Sequence, residues 1–201
     1  MYIPNQFKTT DTEVIFDFCQ EHPFGVFLQS GDSEPIGTHL PFLIKKEHDQ
    51  LVLEGHIALA NGQSKHIRSG KVGMVILSGP EAYVSSSVYT HQNVPTWNYQ
   101  AVHIYGTIEP MNEPELIEHL DQLVEHFEDG RSQKLELSAL PDEMLEAYRR
   151  EIIGFRLTSY RVEAAFKLSQ NRNEEDHQNI LEDLGKCPVN TDLINAMKKH
   201  R

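Results

Sequence analysis

The residues able to do chemistry lie in three stretches. Val94-Pro95-Thr96-Trp97-Asn98-Tyr99 holds the single tryptophan, and a flat indole beside an amide can stack on and hydrogen-bond a planar heterocycle. The competing reading makes Trp97 a lid over the core. In Gly55-His56-Ile57-Ala58-Leu59-Ala60-Asn61 a strand runs into a turn or short helix, where free backbone N–H groups suit an anion. Arg156, Arg161, Lys167 and Arg172 form the most basic part of the chain. His39, His56 and His103 fall at half-buried strand positions, where an imidazole either serves a ligand or is satisfied structurally. The eleven histidines are scattered with no HxxxH or HxH pair, so no metal site is expected. GxGxxG and GxxxxGK[ST] are absent, which disfavours a Rossmann dinucleotide site and Walker-type hydrolysis.

These stretches need a sheet to hold them. Val102, Ile104 and Ile108 alternate with His103, Tyr105 and Thr107, which predicts a strand entered stiffly from Pro95. Residues 24–29 and 36–44 read as a hairpin, with Ile36, Thr38, Leu40, Phe42 and Ile44 on one face. Pro41 places the second strand at an edge or a bulge. Further strands are expected at 51–57 and 71–77, the latter turned by Gly79-Pro80 into 82–85. Thr10 and Glu13 suggest a capping box for a first helix. Leu116, Ile117, Leu120, Leu123, Val124 and Phe127 recur at three and four, predicting a helix over 113–127. A shorter helix begins near Pro141, and 152–168 reads as one long extended segment. Two short helices, divided by Gly185-Lys186-Cys187-Pro188, close the chain. Five to seven strands with antiparallel turns and late helices indicate a mainly β, α+β protein rather than a doubly wound sheet.

Composition narrows the function classes. With 201 residues the chain can bury a core without metals or disulfides. Cys19 and Cys187 lie far apart outside any CxxC spacing, consistent with a reduced, cytoplasmic setting. No signal-peptide pattern or membrane-spanning apolar run occurs, so no membrane association is expected. A formal charge of −12 opposes unspecific attraction to nucleic acid or anionic lipid.

Several blocks, in order, resemble the PaiB family: Met1-Tyr2-Ile3-Pro4 with Phe7, His39-Leu40-Pro41-Phe42, Gly55-His56-Ile57-Ala58 with Ala60-Asn61, and Gly79-Pro80 with Ala82-Tyr83-Val84-Ser85. The more specific blocks are Pro95-Thr96-Trp97-Asn98-Tyr99 and Lys167-Leu168-Ser169-Gln170-Asn171-Arg172. The resemblance implies a six-stranded antiparallel Greek-key split barrel of the FMN-binding type. It implies a homodimer with flavin at the subunit interface and a negative transcriptional regulator of protease synthesis and sporulation. By position it puts His39, His56, Ala60, Asn61, Trp97, Asn98, Lys167, Gln170 and Arg172 near the flavin or the dimer seam. The split-barrel domain would span residues 1–172, with helices inserted over about 113–150, and 173–201 would be a helical appendage. Leu59 and Ala165 stand where the family pattern expects an arginine and a lysine. Losing both cations removes charge-assisted phosphate contacts, so the expected cofactor is FMN with its hold weakened or lost.

Two other readings attach to the same scaffold. One is an FMN-dependent flavin reductase or oxidoreductase, although no acid-base pair in the sequence is dedicated to it. The other, more remote, is a haem-binding split-barrel protein. For a regulator, the partner is either DNA or another protein. The terminal helices read as a helix-turn-helix carrying Lys198, Lys199 and Arg201, or as small amphipathic helices packing on the barrel or its twin.

Overall fold

The alternating stretches become strands of one eight-stranded sheet in the computed structural model, which describes residues 1–201. In chain order the elements are β1 (Lys8–Thr9), α1 (Thr12–Glu21), β2 (Phe24–Ser30), β3 (Pro35–Pro41), β4 (Leu43–Glu47), β5 (Gln50–Ala58) and α2 (Ser64–Arg68). Then follow β6 (Val72–Val84), β7 (Thr96–Pro110), α3 (Glu113–Glu128), α4 (Asp142–Arg149), β8 (Ile152–Lys167), α5 (Glu174–Leu184) and α6 (Thr191–Lys199). The strand order is β3-β2-β6-β7-β8-β5-β4, with β1 pairing with β8. β2 with β3, β4 with β5, and β5 with β8 are all antiparallel. No helix is long and apolar enough to cross a membrane.

The six strands implied by the resemblance are eight here, and two local features explain much of the difference. The strand expected over 36–44 is interrupted at Phe42, because Pro41 offers no N–H and the Phe42 N–H turns to the Pro23 carbonyl (2.9 Å). β3 accordingly ends at Pro41 on the sheet edge, while Leu40, Phe42 and Ile44 keep their shared buried face. The N-terminal segment adds β1, Lys8 lying opposite Ala165.

Two expectations about local structure need correction. Gly79-Pro80 does not turn the chain, since β6 runs unbroken through both residues. A Cβ on Gly79 would lie 2.7 Å from Cε2 of Phe18, so the glycine makes room for a ring rather than for a turn. The first helix is capped by Asp11, not Thr10: its carboxylate accepts from the N–H groups of Glu13 (2.9 Å) and Val14 (3.2 Å). The other helices and the long last strand fall where periodicity puts them, with a capping box at Asn112 and Glu115 opening α3.

The chain forms two compact units, and β6, β7 and β8 each contribute residues to both. The first comprises Met1–His22, Leu77–His103 and Glu163–Arg201. Its core joins Phe18 and Phe166 (ring centroids 5.0 Å apart) with Cys19, Leu168, Ile180, Leu193 and Met197. The apolar stripes of α5 and α6 are therefore buried. Asp176 at the start of α5 accepts from the Thr90 N–H (2.7 Å) and hydroxyl (3.0 Å), tying the helix to the loop before β7. The second unit comprises Pro23–Ile76 and Ile104–Val162. There Phe27 stacks on Phe155 at 4.4 Å among Phe42, Leu53, Ile104 and Leu157, each essentially fully buried. Burying one such aromatic ring contributes about 2–3 kcal/mol.

Candidate functional site

β7 and the end of β8 carry the most site-like chemistry of the first unit. Asn98, on the buried face of β7, has no exposed surface; its side-chain amide meets the Ser169 hydroxyl at 2.9 Å (Nδ2) and 3.0 Å (Oδ1). Its Nδ2 also lies 3.5 Å from Sδ of Met197. Ser169 adopts a left-handed backbone (φ 60°) where the chain leaves β8. Gln170 braces that turn: its Oε1 accepts from the Leu168 N–H (2.8 Å) and its Nε2 donates to the Phe166 carbonyl (2.6 Å). Both residues thus serve to shape the turn that presents the neighbouring cations.

Those cations are Lys167 and Arg172. Together with Phe7, Thr96 and Asn98 they line a cleft of about 220 Å³ with no carboxylate in its wall. Lys167 donates to the Thr96 hydroxyl, and its ammonium lies 5.8 Å from the centroid of the Phe7 ring. Arg172 covers the Tyr89 ring at 4.6 Å. Burial and then the charge of Arg172 push the Lys167 ammonium below the ordinary lysine range. Two like charges sharing a partly dry cleft call for an anion between them.

Trp97 points the other way. It is 54% exposed and meets the half-exposed Tyr83 edge-on at 6.0 Å, so it is no lid over the core. The strand period explains this, since the neighbour of a fully buried Asn98 must face outward.

The remaining expected site residues belong to the second unit, and none of them lines the Lys167 cleft. His39 is exposed on β3, its ring stacked 6.3 Å from Phe24. Ala60 is exposed in the turn before α2. Asn61 holds that turn: Nδ2 donates to the Thr38 hydroxyl (2.9 Å) and Oδ1 accepts from the Gln63 N–H (2.9 Å). The N–H groups of Asn61, Gln63, Ser64, His66 and Ile67 are all bonded within the segment. These donors are thus spent on the carbonyls of Ala58, Asn61 and Gln63 and on Asn61 Oδ1 rather than turned outward toward an anion.

His56 enters a cluster that sequence reasoning missed. Its Nδ1 is 3.2 Å from Nε2 of His119, a fully buried histidine on α3. Nδ1 of His119 has no hydrogen-bond partner and lies 3.9 Å from the buried Glu54 carboxylate. Glu54 accepts from Lys45 (2.8 Å) and from Nε and Nη2 of Arg156 (3.1 and 2.9 Å). Burial opposes its ionisation, yet the hydrogen bonds from Lys45 and Arg156 outweigh it and hold the carboxyl below the usual range. Burial, and then the neighbouring His56, pushes His119 down to about 4. A lone carboxylate in the apolar strand Leu51-Val52-Leu53-Glu54 was a legible signal; the position of His119, three residues after Leu116 on an apolar helix stripe, was another.

Comparison with known proteins places this architecture. A family model described as "Putative FMN-binding domain" matches residues 1–161. The protease synthase and sporulation protein PAI 2 of Bacillus subtilis is 41% identical over 184 residues, covering 92% of this chain and 89% of that one. The chain belongs to the PaiB family. Its fold is also that of the FAD and haem binding protein from Mycobacterium smegmatis (TM-score 0.60, 17% identity, 80% of this chain and 73% of that one). A flavocytochrome from Azotobacter vinelandii gives a TM-score of 0.61 at 14% identity, over 88% of this chain and 78% of that one. The PaiB-family chain is thus an antiparallel sheet with added helices of the kind seen in flavin-binding split barrels.

Proposed function

We propose that this protein is a flavin-binding PaiB-type regulator, cytoplasmic and homodimeric, whose cofactor is FMN. The observation that carries the reading is the carboxylate-free cleft, built from the two blocks most specific to the family, where Lys167 and Arg172 meet. The donor set fits a phosphate: an ammonium, a guanidinium and the Thr96 hydroxyl offer charge-assisted contacts, and a bound dianion relieves the repulsion between the cations. Lys167 and Arg172 would hold the phosphate end, and Leu59 and Ala165 do not contribute cations. When bound, flavin supplies hydride and single-electron chemistry, while the chain supplies orientation and electrostatics.

The size of the cleft supports a second copy. About 220 Å³ is below the range of roughly 300–1,000 Å³ that holds a whole ligand of this class. Exposed Trp97, Tyr83 and Val94 in the same unit are the apolar surface a twin would cover.

Regulation through a protein partner is favoured over direct DNA reading. The apolar faces of α5 and α6 are buried, Arg201 and Lys199 pair with Glu174 and Glu21, and the chain carries −12 overall. The deciding measurement is a visible absorption spectrum of the purified protein with and without added FMN, paired with sedimentation. Flavin bands that persist through gel filtration, on a dimer that Trp97→Ala loosens, are the expected result. Free flavin eluting apart from a monomer would overturn it. A gel shift at low ionic strength is expected to show no retarded DNA.

A further inference from the structure

A second cleft, of about 550 Å³, lies wholly within the second unit, bounded by the end of α2, the start of α3, α4 and the start of β8. None of the nine residues tied to the flavin by the family pattern lines it, although Leu59, where that pattern expects an arginine, does, which is why competition with FMN belongs in the test. Its apolar wall is built from Leu59, Met111, Leu116, Ile152 and Ile153. Three arginines line it as well, in a chain with only 18 basic residues against 30 acidic ones. Arg150 is committed to Glu146 at 3.1 Å. Arg149 is not: its Nε is buried and has no hydrogen-bond partner. Arg68, exposed on the last turn of α2, makes no ion pair either.

An unpartnered buried guanidinium N–H costs stability unless something completes it. The carboxylates at the rim do not: Glu146 is taken by Arg150, and Glu113 sits in the first turn of α3. We propose that this cleft binds a small organic anion, its apolar body against Leu59, Met111 and Ile152 and its acidic group held by Arg68 and Arg149. A planar fork such as guanidinium matches a carboxylate, phosphate or sulfonate with two parallel donors. The volume admits a ligand of two or three fused or linked rings but not a polymer.

This inference does not rest on the flavin reading. The test titrates the full-length protein with anilinonaphthalene sulfonate, an apolar aromatic carrying one sulfonate, and follows its fluorescence. Expected is one saturable site per chain, weakened about tenfold by Arg149→Gln and by Arg68→Gln, as for loss of one charge-assisted contact. Saturating FMN should leave the titration unchanged. Denaturation midpoints check that both variants fold, and Arg68, being exposed, gives a variant with no folding role. The proposal is overturned by non-saturable fluorescence, by an affinity in either variant equal to that of the unaltered protein, or by displacement of the probe by FMN, which would make the cleft part of the flavin site.

Discussion

Lysine and arginine meet twice in this protein, with opposite outcomes. In the second unit Lys45 and Arg156 converge on Glu54, which they keep ionised in a buried strand. In the first unit Lys167 and Arg172 converge on a cleft that holds no acid. The same pair of side chains is a structural clamp where the chain supplies the anion and a ligand site where it does not. A cation pair therefore reads as function only after its counter-charge has been looked for.

The hardest way to break that contrast is to remove the buried anion. Glu54→Gln leaves Lys45 and Arg156 without their carboxylate. Breaking a buried pair costs roughly 3–5 kcal/mol, but both cations are about a third exposed and regain water, so about 2–3 kcal/mol is expected. The check is the urea midpoint, which should fall with the slope unchanged.

Lys167→Met should do the reverse. Removing one of two repelling cations is expected to leave the urea midpoint within about 0.5 kcal/mol. FMN affinity should fall by about tenfold to a hundredfold, the worth of one charge-assisted contact. Isothermal titration with FMN separates the cases: a large loss of fold stability with unchanged flavin uptake would make Lys167 a clamp like Lys45.

How much of this was legible follows the range of the interactions. Alternation over 102–108 and helical periodicity over 113–127 depend on near neighbours, and both elements appear where the pattern puts them. Gly79-Pro80 misled because the ring that demands the glycine, Phe18, lies some sixty residues earlier in the chain. Trp97 misled in another way: aromaticity argued for the core, but the period of two made it the outward neighbour of Asn98. In the candidate site, Lys167 and Arg172 were visible as part of the most basic stretch of the chain. The absence of any acid near it was not, since that depends on which strands pair. The place of His119 on an apolar helix stripe was legible, but its pairing with His56 was not, because the two are sixty-three residues apart.

The clamp should also carry a pH signature that the open cleft lacks. Burial depresses the pKa of His119 from 6.5 to about 4, so the folded state keeps it neutral where the unfolded chain takes up a proton. Its contribution is whole above about 6.5 and is lost as pH falls toward 4, at about 1–2 kcal/mol between pH 7 and 5. Glu54, with its pKa lowered, acts further down: its contribution holds above the ordinary carboxyl range and fades as pH drops through the lowered value. Urea midpoints at both pH values should show His119→Gln flattening the slope between them. His22, His56, His103, His177 and His200 are also depressed by burial, so some slope should remain.

Lys45→Met gives the smallest effect and the sharpest comparison with Lys167→Met, since the substitution is identical and only the counter-charge differs. Lys45 loses its contacts to Glu54 and to Gln122 Oε1 (2.7 Å), yet Arg156 keeps both of its hydrogen bonds to the carboxylate. The Lys45 side chain is 37% exposed, so the pair is partly screened and the expected loss is about 1 kcal/mol. Because Lys45 helps keep Glu54 ionised, the acid limb of the stability profile should move to higher pH in this variant. Lys167→Met should not move it, there being no carboxylate to release. Equal acid limbs in the two variants would mean that Arg156 alone governs Glu54 and that Lys45 is bound to it in geometry only.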